Sequence, residues 1–139
     1  MSARSKARKR AVDALYAAEL RGLSALDLLT ETEELSAGRQ NQDEIFGFAK
    51  SLVEGVSTNS HEIDQIIEGL AQNWSLARMP ALDKAILRVG AFEILHLAEV
   101  PNSVAISEAV DLAKELSTDE SPGFVNGVLA AIAATRKPI

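Results

Sequence analysis

Cysteine is absent from this sequence, and aromatic residues and proline are scarce. Of its 139 residues, 4% are aromatic, eight are glycine and four are proline. Without cysteine the chain forms no disulfide bond, no thiolate metal site and no cysteine nucleophile, which is typical of a reducing compartment. The scarcity of aromatic residues, beside abundant alanine and leucine, favours helices over sheets. No run of 18 apolar residues occurs, so no membrane-spanning helix is expected.

Basic residues are also scarce, except at the very start. The first ten residues carry five cations and no acid, whereas the other 129 carry nine cations and twenty acids. Cations at a helix N-terminus oppose the helix dipole, at about 0.3–1 kcal/mol each, so stability alone does not explain this basic tip. One interpretation is an arm (1–10) that binds RNA phosphates, and the other is a solvated tail. The cations are Arg4, Lys6, Arg8, Lys9 and Arg10.

Apolar residues recur at three- and four-residue spacing along the chain, which predicts an all-α protein of about seven helices in one domain, 1–139. The segment 81–98 is apolar almost all round and is expected to be the central buried helix. A polar stretch, 30–42, predicts a loop or a frayed helix end, and 73–80 predicts a connection. Ser121 and Pro122 together predict the start of the last helix.

Motifs for catalysis or nucleotide binding are missing from the sequence. No phosphate-binding glycine loop, HExxH or GxSxG pattern occurs, and His61 and His96 are too far apart for metal-ligand spacing. We therefore predict no enzyme activity, no metal and no cofactor.

Two aromatic residues are candidates for binding. Phe124 falls in the first turn of the last predicted helix, where it could stack on a base or act as a core residue. Tyr16 follows Lys9 by seven residues, so both project from nearly the same side of the first helix. Tyr16 could belong to a protein interface or to the edge of the core.

Two long stretches of the chain resemble the NusB family of bacterial transcription antitermination factors. The first is WSLARMPALDKAILRVGAFEILHLAEVPNSVAISEAVDLAKELSTDESPGFVNGVLAAIA, which is similar to the C-terminal half of the family. The second is RSKARKRAVDALY, which is similar to its arginine-rich start. The resemblance covers nearly the whole chain and is weakest between residues 22 and 45.

The resemblance implies an all-helical fold of two packed helical subdomains without catalysis. It also implies a cytoplasmic protein that binds the boxA element of ribosomal RNA leader transcripts together with NusE, a small-subunit ribosomal protein. That complex helps RNA polymerase resist termination. Some members of the family are monomers and others are homodimers.

The resemblance also assigns roles to individual positions. Two positions fall where the family contacts NusE, so Tyr16→Ala and Asp83→Lys are expected to weaken that contact without unfolding the protein. Two departures from the family, Ser5 and Gly123, affect single contacts in the RNA patch. The RNA-binding positions are Arg4, Lys6, Arg8, Lys9, Arg10, Lys114, Glu120 and Phe124.

Two rival functions are compatible with the same residues. The first is a non-catalytic protein–protein module whose basic tip is a solvated tail. The second is the RNA-binding part of an RNA methyltransferase, since a NusB-like domain precedes some of these enzymes. At 139 residues the chain is expected to have no room for a cofactor domain.

Overall fold

The computed structural model describes residues 1–71 and 74–135, and these ranges contain seven α-helices, one short 3-10 helix and no strand. This confirms the predicted all-α class. No described helix has the length and apolar character needed to cross a lipid bilayer. Asn73, at the start of the predicted connection, lies outside the described ranges. The helices are α1 Ala3–Arg21, α2 Ala25–Leu35, α3 Gln42–Thr58, α4 Ser60–Leu70, the 3-10 helix Leu76–Arg78, α5 Ala81–His96, α6 Asn102–Leu116 and α7 Ser121–Ala134.

Helix α5 is the centre of the fold, as its sequence predicted. Helices α1, α2 and α3 pack on one another, α6 packs on α7, and α5 contacts α1, α3, α4, α6 and α7. Most of α5 is buried, and its interior positions include two acids, Asp83 and Glu93. At Gly55 of α3, an added Cβ would lie only 2.0 Å from the ring of Phe92, so glycine is what permits the approach of α3 to α5.

The first part of the polar stretch 30–42, predicted as a loop or a frayed helix end, is helical as far as Leu35. Helix α2 continues to Leu35, and the hydroxyls of Thr30 and Thr32 donate to carbonyl oxygens four residues earlier in it. Lys50 of α3 also lies 3.0 Å from a carboxylate oxygen of Glu33, which ties the end of α2 to α3. Packing of α2 on α1 and α3 keeps this stretch helical although its apolar periodicity is weak.

The basic tip is a helix rather than an extended arm. Helix α1 begins at Ala3, and Ser2 is its N-cap, with the Ser2 hydroxyl accepting a hydrogen bond from the backbone N–H of Ser5 at 3.0 Å. Ala7 and Arg8 are already buried against the body of the protein. The expectation of an arm over 1–10 is therefore corrected: tertiary contacts outweigh the unfavourable dipole and hold the tip in the first turns of α1.

Candidate functional site

Arg8 anchors the basic tip instead of extending from it. Its Nε lies 3.0 Å from both carboxylate oxygens of Glu93 in α5, and its Nη2 lies 2.7 Å from Oε1 of the same residue. Its Nη1 lies 3.3 Å from Glu108 of α6, which also accepts a hydrogen bond from Ser5. Arg8 is only 2% exposed. This corrects the assignment of Arg8 to RNA contact, because its guanidinium is already occupied inside the protein.

Glu93 is a buried acid held by a single close cation. Burial is the main influence on its carboxyl and raises the pKa, while the hydrogen bonds and positive charge of Arg8 lower it. A buried ion pair of this kind adds little net stability, but removing one partner leaves an uncompensated charge. The Arg8–Glu93 pair therefore fixes where the first turns of α1 sit on α5.

The other cations of the tip remain at the surface. The guanidinium of Arg4 lies 4.3 Å from the centre of the Phe48 ring, and that of Arg10 lies 5.8 Å from the centre of the Phe46 ring. Lys6 is exposed. Within residues 1–71 and 74–135, no carboxylate oxygen lies within 4 Å of these three cationic groups. They are available to an anionic ligand.

The C-terminal end of α6 adjoins the tip. The ammonium group of Lys9 lies 2.6 Å from a carboxylate oxygen of Glu115, so the last turn of α6 sits beside the second turn of α1. Lys114, the preceding residue, is exposed. The structure thus brings Lys114 close to the basic tip, although more than a hundred residues separate them in the chain. Glu120 is exposed at the N-cap of α7, a short turn further on.

Phe124 forms one wall of a small aromatic cleft. Its ring centre lies 5.8 Å from that of Trp74, with the planes tilted by 45°. The cleft has a volume of about 120 Å³ and is also lined by Pro80 and Glu120. Phe124 is half-buried and packs on the core, whereas Trp74 is 43% exposed. Sequence reasoning noted Trp74 only as part of a motif, and its position beside Phe124 depends on the packing of distant segments.

Asp83, which the resemblance places in the contact with NusE, is buried, and that contact stays a prediction. The hydroxyl of Ser117 donates to one carboxylate oxygen at 2.7 Å, and the hydroxyl of Ser121 donates to the other at 3.0 Å. Asp83 is 4% exposed. Ser121 is the first residue of α7, so Asp83 holds the start of α7 onto α5. Tyr16, by contrast, is half-buried and packs at the edge of the core.

The sequence analysis missed the buried pair of Arg8 and Glu93, although each of the two residues carries a signal that could have found it. Arg8 shares the apolar face of α1 with Val12 and Leu15, at intervals of four and seven residues, which is unusual for a surface cation. Glu93 interrupts an apolar run in the second half of α5, between Phe92 and Ile94. A lone cation on one apolar face and a lone acid within another predict a buried pair.

Within residues 1–71 and 74–135, no three histidine, aspartate or glutamate side chains form a group able to hold a metal ion. The chemistry that the tip offers is anion binding by arginine and lysine, with aromatic rings nearby.

Comparison with known proteins identifies the family. The NusB family model matches residues 5–134. The transcription antitermination protein NusB of Clavibacter michiganensis subsp. michiganensis is 53% identical over 136 residues, covering 98% of this chain and 99% of the relative. That of Leifsonia xyli subsp. xyli is 51% identical over 136 residues, covering 98% of this chain and 94% of the relative.

Solved structures agree with the sequence comparison. NusB of T. maritima superimposes with a TM-score of 0.86 at 29% identity, covering 97% of this chain and 93% of the other. A crystal structure of antitermination factors NusB and NusE in complex with dsRNA contains a chain with a TM-score of 0.86 and 31% identity, covering 98% of this chain and 99% of the other. From the family match and these relatives, the chain belongs to the NusB family.

Proposed function

We propose that this protein is a non-catalytic transcription antitermination factor of the cytoplasm. It binds the boxA element of ribosomal RNA leader transcripts together with NusE and helps RNA polymerase resist termination. The observation that carries the proposal is the basic tip: Arg4, Lys6 and Arg10 have no acidic partner among the described residues, on a helix that Arg8 locks to the body. The names of the relatives, and the complex of one relative with NusE and RNA, support the same function.

RNA binding in this proposal combines phosphate contacts with stacking. The surface cations of α1 and Lys114 neutralise backbone phosphates, and the half-buried ring of Phe124 offers one face to a base. Arg8 acts as a positioning residue, since its contacts with Glu93 orient the helix that presents the cations. Rigid presentation lowers the entropy that RNA binding must overcome.

Replacing both Lys6 and Arg10 by alanine tests the role of the tip. We expect affinity for single-stranded boxA RNA to fall roughly tenfold or more at low salt, and the slope of log affinity against log salt to become shallower by about 1.4, because about 0.7 is contributed per phosphate. Both side chains reach solvent and have no acidic partner among the described residues, so the fold should persist. Fluorescence anisotropy at several salt concentrations measures both quantities.

The matched control removes two exposed arginines elsewhere, Arg21 and Arg78, for the same change in net charge. It should bind RNA nearly as well as the unmodified protein. Equal binding by all three proteins, or binding indifferent to salt, would instead favour the protein–protein module with a solvated tip.

Tyr16→Ala tests the proposed surface for NusE. The ring is half-buried at the core edge, so part of it remains available to a partner. We expect binding to NusE to weaken several-fold, while Tyr16→Phe, which keeps the ring, binds more tightly than the alanine variant. Isothermal titration with purified NusE measures the affinities, and circular dichroism checks the fold. Unchanged affinity in the alanine variant would remove Tyr16 from the interface.

A further inference from the structure

A cleft of about 690 Å³ separates the first half of α1 from the turn that links α2 to α3. Lys6, Lys9 and Arg10 line it from α1, and Arg39 lines it from the turn. Arg39 belongs to the stretch between residues 22 and 45, where the resemblance to the family is weakest, and no role was predicted for it. Four cations from two separate segments thus surround one concavity.

Among the described residues, three of the four cations around this cleft have no carboxylate in contact, whereas Lys9 pairs with Glu115. Within residues 1–71 and 74–135, no carboxylate oxygen lies within 4 Å of Lys6, Arg10 or Arg39. Asp13 is the acid that lines the cleft; burial, the main influence on its carboxyl, raises the pKa, while the charges of Lys9 and Arg10 lower it. Like charges that converge in a concave site repel one another and attract a counter-ion, which is notable in a protein of net charge −6.

The turn that carries Arg39 is tied in place by hydrogen bonds. The backbone N–H of Arg39 donates to the carbonyl oxygen of Ser36 at 3.2 Å, and Ser36 is buried. The side-chain amide of Gln42 donates to the carbonyl oxygen of Gln40 at 2.9 Å. Arg39 is therefore presented towards the cleft on a defined backbone, although its own side chain is exposed.

Gln42 adds an unused acceptor to the lining of the cleft. Its side-chain oxygen is buried and accepts no hydrogen bond from the described residues. A buried polar atom without a partner is rare in folded proteins and normally pairs with water or a ligand. Phosphates pair with cations, while sugar hydroxyls and base amino groups donate to amide oxygens. The cleft offers both kinds of partner.

We propose that this cleft is a second RNA subsite, in which Arg39 binds a backbone phosphate of the single strand held by the basic tip. The strand passes from the exposed side of α1 across Lys6 and Arg10 into the cleft, where the turn between α2 and α3 forms the far wall. This inference rests on the proposed RNA binding and extends its footprint to a segment outside α1.

The test compares Arg39→Ala with Arg78→Ala, which removes an exposed arginine outside the cleft. The RNAs are single-stranded: a long one contains boxA with flanking nucleotides on both sides, and a series of others is shortened from either end. For the long RNA, Arg39→Ala should lower affinity several-fold and make the salt slope shallower by about 0.7, the contribution of one phosphate. Arg39→Lys should retain most of the slope, and Arg78→Ala should leave both quantities unchanged.

Shortening the RNA locates the contact. Removing nucleotides from one end of the RNA, but not from the other, should abolish the difference in affinity between Arg39→Ala and the unmodified protein. If Arg39→Ala behaves like Arg78→Ala while Lys6→Ala with Arg10→Ala still weakens binding, the second subsite is wrong and the proposed function stands. If the unmodified protein binds none of the RNAs, both proposals fail.

Discussion

Replacing Arg8 by alanine is expected to lower the free energy of unfolding by about 3–5 kcal/mol, the usual cost of leaving a buried charge without its partner. Glu93 is 1% exposed, and Arg8 is the residue that hydrogen-bonds its carboxylate. The loss would be a large share of the stability of a domain this size. Urea denaturation followed by circular dichroism measures it. A change no larger than that of a surface substitution would contradict the buried pair.

Two controls separate the charge from the packing. In the double variant Arg8→Met with Glu93→Leu, both charges are gone and apolar atoms fill the space, so much of the lost stability should return. Lys9→Ala breaks the exposed pair with Glu115 and should leave the unfolding transition nearly unchanged.

The effect of Arg8→Ala should also depend on pH. Burial raises the pKa of Glu93, so the folded protein holds this proton more tightly than the unfolded chain. That contribution favours folding at low pH and is lost as pH rises through the folded pKa. Arg8 lowers the pKa of Glu93, so this pKa rises further when Arg8 is removed. The stability difference between the two proteins should therefore shrink in acid, where Glu93 is protonated in both, and be largest at neutral pH.

Asp83→Ala is the second substitution with a large expected effect, a loss of about 2–3 kcal/mol. Ser117 and Ser121 each donate a hydrogen bond to the Asp83 carboxylate, and bonds to a charged group contribute about 1.5–3 kcal/mol each, partly offset when the charge itself is removed. Asp83 also lies in the first turn of α5, where its charge favours the helix dipole. Thermal and urea unfolding measure the loss.

Variants at the same position distinguish a buried role from a partner contact. Asp83→Asn keeps one acceptor and should lose less stability than Asp83→Ala. Asp83→Lys places a cation at a position that is only 4% exposed, so it should unfold the protein. The sequence analysis expected this substitution to weaken NusE binding without unfolding. If Asp83→Lys stays fully folded and loses only NusE binding, the carboxylate faces the partner in solution.

These two acids show how the fold supports the surface proposed to bind RNA without being part of it. Glu93 holds the first turns of α1 through Arg8, and Asp83 holds the start of α7 through Ser121. Both acids lie on α5, the central helix, so the basic tip and the start of α7 beside the Phe124 cleft are held by the same helix. Substitutions at either acid should change RNA binding only as far as they loosen these helices.

Local pattern was enough for the helical framework. The spacing of apolar residues predicted α3, α4, α6 and the central α5, because a helix that buries one face repeats that face every three to four residues. It failed over residues 30–35, where the packing of α2 on α1 and α3 keeps a polar stretch helical.

By itself, the sequence determined the all-helical class, the central position of α5 and the concentration of positive charge in the first ten residues. All three depend on the order of residues along the chain. Only the tertiary structure decided which of those cations reach solvent. Arg8 is buried because packing brings Glu93, 85 positions away in the chain, into contact with it. Arg39 lies beside the tip because the turn between α2 and α3 folds next to α1. Exposure and ion pairing depend on neighbours in space, and the spacing of residues along the sequence does not reveal these.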